Sequence, residues 1–389
     1  MTQTRPWLAF LLLSCSTLFA DEETTVTAPQ KPQAKEITTK NQMMSGYNAP
    51  ARIEVRGSWD VYAMASFIYW QARQENMEIG IISHNAPDTL LEDTPFSTNY
   101  VNNMTVTNPH FTYRPGFKVG LGVNLDWDNW DAYAEYTWFH SSIHSGVNSL
   151  SPATTGTAIP PNGEYLYPIQ GPPAALNGHF FKSAGQSWDL NMDFIDLSLS
   201  RSYYSGRRVT ITPFFGARGA WIRQHLNTDY VGAIPEAALG DSTANFHDSS
   251  TSWGIGPRTG FESNWLLGCG TRFIGNVSGD ILYSRYSLQQ DDLVTDLRPL
   301  LDAPILSNAA ISQTIDYLRA HAAFELGFGW GTYFDNCNWH IDLSATYGFQ
   351  AFWDQNMFRN FENPAAMKSF TPNGNLYVHG VTVNADFDF

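Results

Sequence analysis

Apolar and polar side chains alternate with a period of two from about Trp59 to the last residue. The clearest segments are Phe117–Leu125 and Trp130–Trp138, where every second residue is apolar and the residues between are polar or glycine. A bend at 126–129 places Phe117 opposite Trp138 and keeps both apolar faces on one side of the sheet. Such strict alternation predicts two antiparallel β-strands joined as a hairpin.

The same pattern recurs in a second hairpin, 318–330 with 339–353, and in a last strand from Val381 to Phe389. Across these five strands the apolar face carries no charged residue. In a less regular strand, the apolar positions change phase between Phe194 and Ile195, which predicts a β-bulge. The less regular strands are predicted at Trp59–Arg73, Trp188–Tyr203, Val209–Gln224, Trp253–Trp265 and Thr271–Tyr286.

The connections between these strands alternate in length. Short turns are predicted near 126–129, 204–208, 266–270 and 331–338, and long polar stretches near 84–110, 141–187, 225–252, 287–316 and 354–375. Outer-membrane barrels have short periplasmic turns and long outer loops. The prediction is therefore an all-β, transmembrane, antiparallel up-and-down β-barrel of about 10 strands, within a range of about 8 to 16, with both chain termini on the periplasmic side.

The beginning of the chain differs from the rest. Residues 1–20 resemble a secretory signal peptide, with Arg5, a short apolar core and a cleavage site after Ala20. A lipoprotein signal ending at Cys15 is the alternative. Residues 21–50 are polar and are predicted to form a flexible periplasmic segment, with a plug in the lumen as the alternative. Residues 51–389 form the predicted barrel, and no run of about 18 apolar residues follows the signal.

Composition narrows the class of protein. Charged residues make up 15% of the chain and aromatic residues 14%, whereas about 25% charged residues is usual for a soluble domain. The formal net charge of −15 argues against a nucleic-acid partner. A secreted β-sandwich shows the same alternation with its apolar side inward. The export signal, the alternating loop lengths and the glycines on the polar face (Gly120, Gly122, Gly327, Gly329, Gly348) favour the barrel.

Tryptophans cluster at the ends of the predicted strands. Trp130 and Trp138 are separated by roughly 26 Å of strand at ~3.3 Å per residue. Once tilted, this length approaches the apolar band of about 25 Å that aromatic girdles border. The predicted girdle residues are Trp130, Trp138, Trp330, Trp339 and Trp353.

The polar faces carry the candidate chemistry. Charged side chains that line a lumen set the ion preference of a pore, although a barrel this small can also be packed shut. The predicted pore-lining residues are Lys118, Asp131, Glu135, Arg218, Arg319, His321, Glu325 and Asp342. They predict a porin for passive diffusion of small hydrophilic solutes and ions. The alternative is a structural barrel or adhesin that acts through its outer loops.

Other chemistry is weakly supported. His140 and His144 are spaced like a metal pair, but no carboxylate or cysteine cluster accompanies them, so no metal and no cofactor are predicted. No nucleophile motif or nucleotide-binding fingerprint points to an enzyme, and none is predicted. Cys269 and Cys337 both lie in predicted periplasmic turns. The sequence leaves open an intramolecular disulfide against free or intermolecular thiols.

The chain resembles the pore-forming major outer membrane protein family of Legionella and chlamydia-like bacteria. The similarity extends from about Trp59 to Phe389, and its motifs are short but keep their order. They are Phe67–Arg73, Pro115–Gly122, Tyr136–His140, Asp193–Leu197, Arg218–Trp221 and Trp253–Arg258. The resemblance implies an abundant, surface-exposed outer-membrane porin. Chlamydial members are richer in cysteine, which puts extensive cross-linking between molecules in doubt here.

Partners follow from the predicted class. Outer membrane lipid surrounds the barrel, and small hydrophilic solutes pass through it. The end of the last strand, with Phe387 and Phe389, resembles the recognition signal for the barrel-insertion machinery. A homo-trimer is expected only by analogy with porins.

Overall fold

A computed structural model describes most of the chain from residue 51 to residue 389. The residues not described within that range are 52, 54, 56–59, 84–103, 126–127, 149, 151–163, 170–179, 235–242, 297–304, 359, 364–367 and 371–373. The predicted signal peptide at 1–20 and the segment at 21–50 lie outside the described residues. Among the described residues, no helix is long and apolar enough to cross a membrane.

Ten strands form a closed antiparallel ring, which confirms the predicted barrel and its strand number. In ring order these are β1, β4, β5, β7, β9, β10, β11, β12, β13 and β16, and β16 pairs back with β1. Their bounds are Val61–Gln74, Tyr113–Asn124, Asp131–Val147, Phe180–Ser200, Val209–Ile234, Thr243–Gly268, Thr271–Asp296, Ile305–Phe334, Trp339–Asn356 and Gly374–Asp388. Each of the ten strands therefore pairs with the ring strands that come before and after it along the chain, as in an up-and-down barrel.

Six shorter strands lie at the ends of the ring. Three of them extend the sheet beside β7, because β2 pairs with both β3 and β6. β8 pairs with the start of β9, and β14 with β15 forms a separate hairpin. Their bounds are Gly80–Ser83 (β2), Met104–Thr107 (β3), Tyr165–Pro168 (β6), Tyr203–Tyr204 (β8), Asn360–Asn363 (β14) and Lys368–Phe370 (β15).

The first predicted hairpin has the predicted register. Phe117 lies opposite Trp138, and the amide N–H of Leu125 donates to the carbonyl oxygen of Trp130 at 2.7 Å. Asp128 and Asn129 have φ values of 57° and 56° in this turn. Asp and Asn tolerate this left-handed conformation better than most other residues, which suits them to a turn.

Strand length departs from the prediction at the end of the barrel opposite these turns. The expected long stretches at 225–252 and 287–316 are largely strand, since β9 continues to Ile234 and β11 to Asp296. The outward side chains there become polar, as in Arg223 and Asp229. The apolar signal fades while the backbone pairing continues, so sequence alternation alone could not reveal these extensions.

The predicted bulge in β7 is wrong. The register of β7 is continuous with β5 and with β9 through Phe194 and Ile195. The phase changes because Trp188, Leu190 and Phe194 are apolar side chains that point inward, whereas Ile195, Leu197 and Leu199 are apolar side chains that point outward. An apolar patch inside the barrel therefore produced the pattern that a bulge would give.

The outer face is apolar and exposed along the middle of the strands. Leu121 is 64% exposed, Leu318 69% and Phe328 64%. On β5, β10 and β12, the outward positions from Trp130 to Trp138, Trp253 to Trp265 and Leu318 to Trp330 carry no Asp, Glu, Lys or Arg. A soluble sandwich would bury such a face, so the structure excludes that alternative and matches a barrel surrounded by lipid.

Candidate functional site: the lumen

The inward side chains of the ten ring strands form the candidate site. We call the end with the β4–β5, β10–β11 and β12–β13 turns and the terminal Phe389 the turn end, and the opposite end the loop end. All eight predicted pore-lining residues lie at inward positions of their strands. From the loop end to the turn end, the lumen contains an apolar layer, a charge layer and a vestibule.

The charge layer comprises Asp196, Arg218, Arg258, Asp280 and His321, from five different strands. Arg218 donates from Nε and Nη2 to the two carboxylate oxygens of Asp196, at 2.6 and 2.7 Å. Its Nη1 donates to Asp280 Oδ2 at 2.9 Å. Arg218 is only 5% exposed and Asp196 3%. Buried charges need such complete pairing, because each ion loses its hydration on burial.

The same layer continues around the lumen. Nδ1 of His321 lies 2.7 Å from Asp280 Oδ2. Arg258 donates to Asp196 Oδ2 at 2.5 Å and faces the ring of Phe214 at 5.4 Å. Two carboxylates therefore hold two guanidinium groups and one imidazole in fixed positions on one side of the barrel.

The apolar layer closes the lumen beside the charge layer. The rings of Phe194 and Phe352 stack at 5.7 Å with an interplanar angle of 16°. β7 and β13 are five strands apart in both directions around the ring, so this contact crosses the barrel from one wall to the other. The layer also contains Ile68, Trp70, Phe139, Trp188, Leu190, Met192, Ile222, Leu226, Leu282, Leu376 and Val378, with Met77 and Phe358 from connecting segments.

The vestibule occupies the lumen from the charge layer to the turn end. Glu262 points inward from β10, yet its side chain is exposed, so water reaches this level. Glu262, Glu325 and Asp386 form no ion pair within 4 Å with any residue in the described part of the chain. The vestibule therefore contains carboxyl groups that have no ion-pair partner and that are in contact with water.

Glycines give the vestibule wall its shape. The rings of Tyr62 and Tyr133 stack at 5.8 Å and lie directly over Gly122 and Gly120. A Cβ atom at either glycine would overlap those rings. The predicted use of glycine on a crowded inner face is thus seen at these two positions.

The remaining predicted lumen residues are paired along the wall. Nζ of Lys118 lies 3.3 Å from Glu135 Oε1, and Tyr62 donates to Asp131 Oδ1 at 3.0 Å. Arg272 forms an ion pair with Asp342 across β12. Nearer the loop end, Arg319 faces the ring of Tyr317 at 4.4 Å and lies 3.6 Å from Asp354. Their role as pore-lining groups stays a prediction.

Five inward charged residues on the less regular strands were not among the predicted pore-lining residues. Asp196, Arg258, Glu262, Arg272 and Asp280 all occupy the even positions of their strands, as Arg218 does. Even-numbered residues point inward on β9, which contains Arg218, and also on β7, β10 and β11. Applying the same alternation to those three strands would have identified all five residues. The apolar inward residues on β7 hid that phase.

The predicted girdle tryptophans lie at the ends of the exposed apolar faces. Trp130, Trp330 and Trp339 lie toward the turn end, and Trp138 and Trp353 toward the loop end. Trp265 extends the first group, while Trp221 and Trp253, paired in register, extend the second. The contact of these rings with the lipid interface stays a prediction.

Both cysteines are free and exposed in the turns where the sequence placed them. Cys269 lies between β10 and β11 and Cys337 between β12 and β13, so the structure contains no intramolecular bridge between them. His140 packs on the Trp138 ring at 4.2 Å, on the outer face. No group of three or more His, Cys, Asp or Glu suited to a metal occurs among the described residues.

Comparison with known proteins identifies the family. The family model for the Legionella pneumophila major outer membrane protein precursor matches residues 53–389. The chain therefore belongs to the Legionella major outer membrane protein family, as the sequence resemblance predicted. Family membership and the barrel fold place the protein in the bacterial outer membrane. No curated protein matches the chain.

Two solved structures illustrate the general likeness. The outer membrane protease OmpT from Escherichia coli is 6% identical, with 87% of this chain and 99% of that chain covered and a TM-score of 0.35. The Pseudomonas putida toluene transporter TodX is 8% identical, with 84% and 89% covered and a TM-score of 0.16. At these scores neither likeness carries an argument about function.

Proposed function

We propose that this member of an outer membrane protein family is a channel for small ions and hydrophilic solutes, and that the apolar layer is its gate. The observation that carries the proposal is the wetted vestibule, lined by carboxyl groups without ion-pair partners, directly beside the apolar layer. A barrel with only a structural role gains nothing from unpaired carboxylates inside it, because burying or confining charge is costly.

The mechanism follows from the order of the layers. Cations entering the vestibule are attracted by Glu262, Glu325 and Asp386, since rings of carboxylates favour cations in pores. In the charge layer, Asp196 binds Arg218 and Arg258, so these positive groups stay at the wall and do not extend into the path of a cation. The stack of Phe194 on Phe352 then blocks passage, because water and ions leave apolar constrictions of this kind.

Passage requires the two rings to separate. The two rings are held against each other by noncovalent contacts alone. Removing both side chains also removes their contacts with Arg218 and His321, but not the ion pairs of Arg218 with Asp196 and Asp280. We therefore expect the combined variant Phe194→Ala, Phe352→Ala to increase the open probability in a planar lipid bilayer by more than about tenfold, which needs a shift of only about 1.4 kcal/mol in the closed–open equilibrium.

The matched control is Phe324→Ala with Phe349→Ala, two phenylalanines that point outward from β12 and β13. This pair loses the same atoms without touching the lumen and should conduct as the original chain does. Steady conductance of the original chain, unchanged in the Phe194 and Phe352 variant, would show that the apolar layer is not the barrier. No conductance in either protein at any voltage would reject the channel.

A second function, as a surface-exposed structural barrel or adhesin, is favoured by a different observation. The lumen is crossed by stacked rings, while β9 to β12 extend well past the apolar outer face with polar outward side chains such as Arg285 and Asp316. Under that function the extensions contact other cells, and conductance is absent in every variant. That the protein is not an enzyme also stays a prediction.

The proposal includes the orientation and partners expected of such a channel. The signal at residues 1–20 exports the chain, the turn end faces the periplasm and the loop end faces outward. The barrel-insertion machinery recognises the last strand, and the barrel associates as a homo-trimer. Protease accessibility of the β9–β10 connection in intact cells tests the orientation, and sedimentation in detergent tests the trimer.

A further inference from the structure

A second polar site lies inside the barrel on the loop side of the apolar layer. Three side chains point into one small cavity there: Asp248 on β10, Gln290 on β11 and Gln313 on β12. We call this group the oxygen pocket. Asp248 is five residues beyond Trp253, or roughly 16 Å along the strand. The oxygen pocket thus lies beyond the apolar outer face and is separate from the vestibule.

Strand register brings the three residues together. Asp248 lies directly opposite Gln290, and Gln313 lies opposite Leu288, one inward position from Gln290. Side chains in these direct and diagonal positions on one face of a sheet are within contact range. Met357 and Phe358, from the segment that follows β13, also line the cavity.

All three side chains present an oxygen atom that lacks a partner. Asp248 Oδ1, Gln290 Oε1 and Gln313 Oε1 are buried and accept no hydrogen bond. Asp248 is 6% exposed and Gln290 3%. The orientation of the Gln290 amide is set by its nitrogen, which donates to both oxygens of Asp292 at 3.2 and 3.0 Å. Its Oε1 is therefore left for the cavity.

Three buried oxygens without donors in one cavity carry an energetic cost. Each unsatisfied buried acceptor costs on the order of 1–3 kcal/mol, and an ionised carboxylate costs more. A cation removes this cost for all three atoms at once, whereas a proton on Asp248 serves only one. The cavity has room for roughly one water-sized sphere, which is also the size of a small ion.

We propose that the oxygen pocket binds one hard divalent cation, through Asp248 Oδ1, Gln290 Oε1 and Gln313 Oε1. Carboxylate and amide carbonyl oxygens are the ligands that Ca²⁺ and Mg²⁺ prefer, with water completing the coordination shell. The cation joins β10, β11 and β12 at the level where the strands leave the apolar outer face. It therefore ties together the part of the barrel that lipid does not support.

The test uses the full chain, refolded in detergent and freed of metal with EDTA. Calorimetric titration with CaCl₂, and separately with MgCl₂, measures affinity and stoichiometry, and heat-modifiable gel mobility reports that each protein is folded. We expect one bound ion per barrel. Asp248→Asn, which keeps the shape of the side chain, should weaken binding by at least about tenfold. Gln313→Leu should weaken it without removing a charge.

The control is Asp291→Asn, which removes a carboxylate from the exposed outward position next to Gln290 and should bind as the original chain does. Absence of binding of both ions by the original chain would overturn the proposal and assign the pocket to a water or a protonated Asp248. Equal affinity in the original chain and in Asp248→Asn would also overturn it, by placing the ion elsewhere. Both outcomes are independent of conductance.

Discussion

At the scale of single residues, the charged side chains of the lumen are of two kinds: some are held in ion pairs, and others have no ion-pair partner and can interact with a passing ion. Arg218 has three donor contacts to two carboxylates, and its guanidinium also lies 5.1 Å from the Phe194 ring. It therefore links the charge layer to the apolar layer. Glu325, four residues from His321 on β12, has no such pairing and faces the vestibule. Arg218 and Glu325 look alike in the sequence, because strand alternation shows which side of the sheet a charged residue points to but not which residue it pairs with.

Glu325→Gln should lower the preference for cations over anions in the opened Phe194→Ala, Phe352→Ala background. One unit charge about 6 Å from an ion in water contributes about 0.7 kcal/mol, or about a threefold change in the permeability ratio. The reversal potential in a KCl gradient measures it. Asp316→Asn removes the same charge from the outer face and should leave that potential unchanged. An unchanged reversal potential in Glu325→Gln excludes this residue from the conduction path.

At the scale of strands, alternation specified the sheet better than it specified the lumen. All ten ring strands and their short turns could be predicted, since lipid contact imposes an apolar outward face on every strand. The apolar layer could not be predicted, because each half of β7 shows regular alternation by itself. Only its pairing with the neighbouring strands shows that Trp188, Leu190, Met192 and Phe194 point inward. The extensions of β9 to β12 were missed because neither of their faces contacts lipid.

The outward face of β5 provides a direct check of the strand assignment. Ala134 lies midway between Trp130 and Trp138 and is exposed to the lipid side. Ala134→Arg should reduce the free energy of unfolding by ~2–4 kcal/mol, the cost of an arginine near the bilayer midplane. Urea titration of protein refolded into lipid vesicles measures it. Ala134→Leu, at the same position, should be close to neutral, and equal stability of the two variants would reverse the inside–outside assignment of β5.

At the scale of the whole molecule, the barrel depends on one closing pair. β16 pairs with β1 along 13 residue pairs from Tyr62 to Gln74 and with β13 on its other side, so the last strand completes the ring. Every lumen layer relies on that closure. The apolar layer takes Ile68 and Trp70 from β1 and Leu376 and Val378 from β16, and the indole of Trp70 donates to Thr382 at 3.1 Å across the junction.

We expect the end of that strand to matter more for assembly than for stability. Phe389 has one backbone hydrogen bond, to Val61 at 3.3 Å, and its ring lies 6.3 Å from Trp339 on the surface. Because Phe389 follows Asp388, the last paired residue of β16, Phe389→Ala should refold in detergent with a nearly unchanged urea midpoint. If the terminal aromatic is the insertion signal, the same variant should show several-fold less heat-modifiable barrel in the outer membrane of living cells. Val383→Ala truncates an outward side chain in the middle of the same strand and should assemble normally. Normal assembly of Phe389→Ala would transfer the recognition signal to the rest of β16.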